Sequence, residues 1–157
     1  MKTIVLACLA LMLAAQSPEP SAEVKAEQAK HQGVWRAVSF RRDGKETAEA
    51  VVRTITREVD GDRVVWRRDG KSFSGSTVVL DPRADPRTID VHADGGPGRD
   101  KVVRGLYKLE GDRLTLCTAD PDEPRPDHFR ADPGDRWTLM VFRRQGKDEV
   151  PPNPERP

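Results

Sequence analysis

The chain has 157 residues, with 27 Lys or Arg against 26 Asp or Glu, so its formal net charge is only +1. Such a balance lacks the basic excess of a nucleic-acid-binding protein and the polybasic run that attaches a protein to a membrane surface. The length suffices for one domain with one hydrophobic core.

The N-terminal segment differs in composition from the rest of the chain. Lys2 precedes an unbroken apolar run over residues 4–15, and Gln16, Ser17 and Pro18 end that run. This order predicts a secretory signal peptide over residues 1–17, with cleavage after Ala15. The apolar run is too short for a membrane span, which needs about 20 residues. We therefore expect an exported protein, periplasmic or extracellular, with no stable membrane span after processing.

The two cysteines carry different expectations. Val5-Leu6-Ala7-Cys8 resembles the box before a lipidated cysteine, but cleavage there would leave residues 9–15, still apolar, at the mature N-terminus. Lipid anchoring through Cys8 is therefore not expected. Cys117 then stands alone, and no intrachain disulfide can form. We interpret it as a small apolar residue of a strand, the alternative being a thiol that reacts or pairs between chains.

The mature chain begins with a leader and a short helix, over residues 18–32. Helix-forming Ala, Glu, Lys and Gln fill residues 22–32, and Gly33 follows as a usual helix-ending residue. The main domain spans residues 33–145. Residues 146–157 include four prolines among the last seven and predict a disordered tail.

The main domain reads as strands separated by turns. Eight segments rich in Val, Thr, Ile and aromatic residues cover residues 34–41, 51–58, 63–68, 72–80, 88–93, 102–109, 113–118 and 137–144. Asp60-Gly61, Asp69-Gly70 and Glu110-Gly111 are hairpin signals, because glycine tolerates the positive φ of tight turns. No helical pattern separates the strands, so parallel βαβ units are not expected. Turns every 8–12 residues favour a barrel or a sandwich.

Several segments alternate between two faces, as expected for antiparallel strands with one wet side. The sets that share a face include Ile89 with Val91, Leu114 with Leu116, Trp137 with Leu139 and Val141, and Val51 with Arg53, Ile55 and Arg57. We predict an all-β fold, an eight-stranded antiparallel up-and-down barrel of lipocalin-like type with a short N-terminal helix. Such a barrel is filled by side chains or holds one small ligand.

Two motifs resemble a known family. Gly33-Val34-Trp35 followed by Ser39 looks like the G-x-W opening of lipocalin-like barrels. Residues 105–117 read G-L-Y-K-L-E-G-D-R-L-T-L-C, similar to G-I-Y-x-L-D/E-G-D-x-L-x-L-C in the small secreted lipocalin-like domains of planctomycete-type bacteria. The resemblance covers roughly residues 32–145. It implies an eight-stranded barrel in the envelope or outside the cell, and it carries no established substrate, cofactor or catalytic residue.

One constellation resembles a metal site. Asp90, His92 and Asp94 share one face of a strand, and histidine with carboxylates can bind a divalent ion. Because Ile89 and Val91 would face the core, this trio would lie on the solvated outer face without evident neighbouring groups to orient the ligands. We therefore predict no specific metal site, with this trio as the weak candidate.

Catalytic motifs are not recognisable in the sequence. Nucleophile elbows, HExxH motifs and phosphate-cradling loops are missing, and Gly95-Gly96-Pro97-Gly98 reads as a turn because no helix follows it. We predict a non-enzymatic protein without cofactors, a hydrolase being the residual alternative.

Aromatic residues supply the candidate ligand contacts. Trp66, Phe73 and Tyr107 would line the barrel if it holds a cavity, since aromatic walls with a few polar tips are typical of small-molecule pockets. The alternative, that they only fill the core, is favoured by the scarcity of large apolar residues.

Four arginines lie within predicted strands: Arg36, Arg53, Arg57 and Arg104. We expect them on the solvated outer face with their stems covering apolar surface. If some point inward, the interior would attract anions.

Two functions remain open from the sequence. The first is an exported module that binds a small apolar or amphipathic ligand in the barrel. The second is a protein-interaction or structural module of the cell envelope, with a filled barrel and an exposed apolar patch near residues 121–129.

Overall fold

A computed structural model describes residues 19–146 of the chain. The signal peptide predicted over residues 1–17 and the tail predicted over residues 146–157, apart from Gly146, lie outside the described residues.

The first element is the helix α1, Ala22–His31. The Ser21 side chain accepts a hydrogen bond from the Val24 backbone N–H at 3.3 Å, and so satisfies one of the donors left free at a helix start. The helix ends one residue earlier than predicted, because Gln32 adopts an extended conformation and leads into the first strand.

Strands and one short helix make up most of the remaining described chain. The strands are β1 (Gly33–Arg42), β2 (Lys45–Glu46), β3 (Ile55–Asp60), β4 (Arg63–Arg68), β5 (Lys71–Asp81), β6 (Thr88–Ala93), β7 (Val102–Glu110), β8 (Arg113–Thr118) and β9 (Thr138–Arg144). The helix α2, Glu49–Val52, lies between β2 and β3, and a single 3-10 turn, Gly96–Gly98, precedes β7.

The sheet closes on itself. From β3 to β9 each strand pairs antiparallel with the next, and β1 pairs with both β3 and β9. The closing seam of β1 against β9 runs from Trp35 opposite Arg144 to Arg42 opposite Thr138. Strand β2 is an additional short partner of β1 outside this ring. The predicted eight-stranded antiparallel barrel with a short N-terminal helix is thus confirmed.

The second predicted strand is wrong in its first half. Val51 and Val52 belong to α2, and the strand begins only at Ile55. Val52 is nevertheless buried in the core, so a helical turn supplies the apolar side chain that the sequence pattern assigned to a strand.

The barrel lumen holds a single cluster of buried side chains. It includes Trp35, Val64, Tyr107, Leu114 and Phe142, each at most 1% exposed. Such close packing leaves little tolerance for volume changes.

The residues expected to share a face of the last strand, Trp137, Leu139 and Val141, do not form the face that lines the lumen. Met140 and Phe142 point into the lumen cluster, and Leu139 and Val141 are not part of it. Val141 is buried all the same. Apolar residues on both faces of this strand hide which face is inside.

Residues 119–137 run along the outside of the barrel wall. Arg125 donates to the carbonyl oxygens of Gly105 at 2.7 Å and Ile89 at 3.1 Å. The thiol of Cys117 contacts the Arg130 carbonyl oxygen at 3.2 Å. Leu106 and Cys117 are therefore buried outside the lumen cluster, and the strand interpretation of Cys117 is confirmed.

Candidate functional site

An open pocket of about 340 Å³ lies at the end of the barrel opposite α1. The end of β1, the start of β3, the end of β4, the start of β5 and helix α2 surround it. The residues that line it are Phe40, Thr47, Val51, Ile55, Trp66, Arg68, Phe73 and Ser74.

Two aromatic rings, Phe40 and Trp66, form the inner wall of this pocket, and a third, Phe142, packs behind them. Trp66 and Phe40 each stand edge-to-face on Phe142 with ring centroids 5.6 Å apart, and they lie 6.5 Å from each other. Such edge-to-face packing stabilises aromatic clusters and fixes ring orientation. The wall is therefore apolar and held in place from behind.

The outer rim combines an aromatic ring with a cation. Phe73 is 57% exposed, and the guanidinium carbon of Arg68 lies 5.6 Å from the centre of its ring. A guanidinium over an aromatic face is a weak cation–π contact at an exposed site. The rim thus offers an apolar surface beside a positive charge that is open to solvent.

The structure brings together two of the three predicted ligand-lining residues. Trp66 and Phe73 both line the pocket. Tyr107 does not, because it is buried at the end covered by α1, where its ring stands edge-on to that of His31 at 5.0 Å. Phe40, Arg68 and the α2 residue Val51 are further lining residues, and no sequence motif would place them there.

Helix α1 covers the other end of the barrel through its last turn. The indole N–H of Trp35 donates to the His31 carbonyl oxygen at 2.8 Å. Arg144 donates to the carbonyl oxygens of Lys30 at 2.7 Å and Gln32 at 2.5 Å. These donors satisfy carbonyls that a helix end leaves free.

One carboxylate of α1 is buried beside the barrel end. Glu27 pairs with Arg87 at 2.9 Å and with Lys30 at 3.0 Å. Burial would raise the pKa of Glu27, but the hydrogen bond from Lys30 and the charge of Arg87 outweigh it, and the pKa is lowered. Glu27 therefore stays ionised while its two cationic partners reach it from the surface.

Arg57 lies on the opposite face of its strand from the one predicted. It was expected on the outer face, but it points into the lumen and is only 1% exposed. It lies opposite Trp35 on β1 and opposite Trp66 on β4. Its Nη1 has no hydrogen-bond partner among the described residues, and burial lowers the pKa of Arg57 to about 10. Arg53 is exposed, as expected, and Arg36 and Arg104 are half-buried.

His31 and Tyr107 join Arg57 in what we call the polar cluster. They are 2% and 1% exposed. Within residues 19–146 neither imidazole nitrogen of His31 has a hydrogen-bond partner, and the Tyr107 hydroxyl lies beside the Glu27 carboxylate. Burial and the charge of Arg57 lower the pKa of His31 to about 4. Burial and the neighbouring Glu27 carboxylate raise the pKa of Tyr107. At neutral pH the cluster therefore carries one positive charge, on Arg57.

The candidate metal trio is not assembled as a site. Asp90 pairs with Arg125 at 2.7 Å and Asp94 with Arg63 at 2.9 Å, while His92 is exposed. Both carboxylates are engaged by arginines on the outer face, and those arginines come from distant parts of the chain.

A different group has the residue types of a metal site. Ligand atoms of His128, Asp132 and Asp135 lie within 4.8 Å of one another. Asp135 already accepts a hydrogen bond from the Asp132 backbone N–H at 3.0 Å, and His128 contacts the Asp127 carboxylate. These hydrogen bonds within the loop explain why the three side chains lie close together.

In the stretch predicted to carry an apolar patch, residues 121–129, Pro121 and Pro124 are exposed. Pro126 is buried, Phe129 is half-buried, and Arg125 is bound to the barrel wall. The residues of this stretch that face solvent include the charged Asp122 and Glu123.

Among the described residues, neither helix is long and apolar enough to cross a membrane. Comparisons of the chain with protein-family models, with curated proteins and with solved structures find no match. The pocket and the residues around it are therefore the features from which a function is inferred.

Proposed function

We propose that this protein is an exported lipocalin-like module, a relative of the secreted domains that its motifs resemble, which binds a small amphipathic ligand in the pocket at the open end of the barrel. The observation that carries the proposal is the pocket of about 340 Å³ with an aromatic inner wall and Arg68 at its rim. Its volume lies at the small end of the range of about 300–1,000 Å³ for ligand pockets.

The lining indicates the chemistry of the ligand. The rings of Phe40, Trp66 and Phe73 favour a flat or chain-like apolar group, which gains free energy by leaving water. Arg68 favours an acidic group at the solvent side, where a carboxylate or sulfonate keeps part of its hydration. We therefore expect small molecules with an apolar body and one negative charge.

The test is a fluorescence titration with 1-anilinonaphthalene-8-sulfonate, an aromatic probe with one sulfonate. We expect saturable binding to the wild type and about tenfold weaker binding to Phe73→Ala, because the exposed ring is lost from the rim. Val79→Ala is the matched control, since Val79 is an equally exposed apolar residue of the same strand outside the pocket lining. Equal affinities of these two variants, or no saturation, would overturn the proposal.

Arg68 is tested with a second pair of probes. Arg68→Gln should weaken binding of the sulfonate probe about tenfold, but not that of its neutral analogue N-phenyl-1-naphthylamine. Arg67→Gln is the control, because Arg67 pairs with Glu58 and does not line the pocket. Equal losses for both probes would show that the charge of Arg68 has no part in recognition.

The envelope interaction module is the second candidate. The filled lumen favours it, since the core cluster occupies the barrel behind the aromatic wall. Failure of all the titrations would favour this second function.

A further inference from the structure

We propose that the polar cluster beneath α1 is a second binding site, for a small monovalent anion held by the guanidinium of Arg57. This site is separate from the pocket at the open end, and the proposal does not depend on the function proposed above.

The first argument is the burial of an unpaired charge. Arg57 is 1% exposed, its Nη1 has no hydrogen-bond partner among residues 19–146, and burial is the only cause acting on its pKa. A buried cation without a counter-charge is strongly destabilising, since the desolvation penalty has no Coulombic compensation. The folded chain, which holds arginine at this inward position, is stabilised if an anion pairs with it.

The second argument is the character of the neighbouring groups. His31 is buried and without hydrogen-bond partners in the described chain, and the Tyr107 hydroxyl is buried beside the Glu27 carboxylate. Both side chains carry a group that is able to donate to an anion. The Ser76 hydroxyl, on the inner side of β5, is buried and unpartnered as well. A cation or an apolar molecule would leave these donors unpaired, which costs free energy.

The position of Arg57 connects it to these donors. Arg57 lies opposite Trp35, and Trp35 donates to the His31 carbonyl oxygen at 2.8 Å. The ring of His31 in turn stands on that of Tyr107 at 5.0 Å. The charge of Arg57 also acts on the His31 imidazole, so the Arg57 side chain lies near the pair formed by His31 and Tyr107.

The charges around the polar cluster select a monovalent anion. Glu27 borders the cluster, but its carboxylate is already paired with Lys30 and Arg87, so the surroundings keep an excess of positive charge. Inside the cluster only Arg57 is charged at neutral pH. One guanidinium balances one negative charge, and a second negative charge on the anion would be buried without compensation.

The anionic group has two sources that share this chemistry. It is either a free inorganic anion or the carboxylate of an organic molecule whose apolar part occupies the open pocket. The second source requires the ligand to reach past Trp66, which lies opposite Arg57 and also forms part of the pocket wall.

The experiment is a titration of thermal stability with sodium bromide at neutral pH and low buffer concentration. We expect the melting temperature of the wild type to rise by about 3–5 °C more than that of Arg57→Gln at saturating bromide. Effects of salt on the surface charges are common to both proteins and cancel in the difference. Arg53→Gln, which removes an exposed arginine, should behave as the wild type. Equal shifts in all three proteins would overturn the proposal.

A second variant keeps the test decisive if Arg57→Gln does not fold. Tyr107→Phe retains the ring that packs on His31 and removes only the hydroxyl, so it should weaken the apparent bromide affinity about fivefold. Crystals grown in bromide should show anomalous scattering within hydrogen-bond distance of Arg57. Unchanged affinity together with no bromide at Arg57 would contradict the proposal.

Two carboxylates distinguish the sources. If acetate and octanoate raise the melting temperature equally, and Phe73→Ala changes neither effect, the site takes a free anion. A larger shift with octanoate that Phe73→Ala abolishes would assign it to the head group of an amphipathic ligand. The bromide effect does not involve Phe73, so the test of the anion site and the test of the pocket have independent outcomes.

Discussion

The guanidinium of Arg144 lies over the indole ring of Trp35, with its carbon 4.1 Å from the ring centroid. Both residues also reach the last turn of α1 and its C-cap, Trp35 through the His31 carbonyl and Arg144 through those of Lys30 and Gln32. Since Trp35 is on β1 and Arg144 on β9, one stacked pair links the closing seam of the barrel to the helix that covers it.

Replacing Arg144 with lysine should loosen this link. Lysine keeps the charge but loses the planar fork that serves two carbonyls and stacks on the ring. We expect the free energy of unfolding in urea to fall by about 1–3 kcal/mol, and hydrogen exchange in α1 to accelerate. The exposed neighbour Arg143 is the control, and Arg143→Lys should change stability by less than about 0.5 kcal/mol. Equal losses would contradict the role of Arg144.

Gly105 has no room for a side chain. A Cβ there would meet the Cys117 carbonyl oxygen at 2.8 Å and Ile89 Cγ2 at 3.2 Å. Gly105→Ala should therefore lower the free energy of unfolding by about 1–3 kcal/mol through overpacking. At Gly95 a Cβ meets nothing within 4 Å and the backbone is extended, so Gly95→Ala should be nearly neutral. Denaturation curves that coincide for the two variants would exclude the predicted clash.

His31 predicts a loss of stability in acid. Its pKa is held at about 4, first by burial and then by Arg57, with Arg144 and Arg87 adding to the effect and Glu27 opposing it. In the unfolded chain histidine titrates near 6.5, so between these values the unfolded state binds more protons. The contribution is thus fully present above pH 6.5 and is lost as the pH falls towards 4.

The expected loss is on the order of 3 kcal/mol. It is measured as the difference between the unfolding free energies at pH 7 and pH 4, for the wild type and for His31→Gln. The variant should lose less stability over this interval, and the same substitution at the exposed His92 controls for the removal of a histidine. Parallel pH profiles of wild type and His31→Gln would contradict the assignment.

Cys117 should react slowly with thiol reagents. Burial raises its pKa to about 11, and its thiol contacts the Arg130 carbonyl beneath residues 119–137. In a chain carrying Cys8→Ser, labelling with dithionitrobenzoate at pH 8 should be at least about 100-fold slower than in guanidinium. Arg125→Ala should accelerate it, because Arg125 ties the covering segment to the barrel wall. Labelling at the rate of a free thiol would show that the segment does not cover Cys117.

The barrel was predictable because its signals are local. Gly61, Gly70 and Gly111 all have positive φ, between 58° and 75°, at the turns where the sequence places hairpins. Antiparallel neighbours follow directly from such short turns. The closing pairing of β1 with β9 joins distant parts of the chain, has no turn signal of its own and is seen only in the structure.

The site was only partly predictable, because it depends on long-range position. Trp66 and Tyr107 both point inward, but the stagger of the strands places one at the pocket and the other under α1. The alternation placed Arg57 on the same face as Ile55, which is buried. The prediction nevertheless put Arg57 on the outer face, because charged side chains usually face water. Asp90 was a candidate metal ligand because its local sequence does not reveal its partner, Arg125, which lies 35 residues further along the chain.

The closing seam also places the two chain ends of the barrel together. The backbone N–H of Gln145 donates to the Val34 carbonyl oxygen at 2.8 Å, so the chain enters and leaves the domain at one point. A domain with adjacent ends is suited to insertion into a surface loop of another protein as a single unit. By the same geometry, joining residues 33 and 145 through a short linker and opening the chain between β6 and β7 would give a circular permutant that keeps every barrel strand paired and lacks α1.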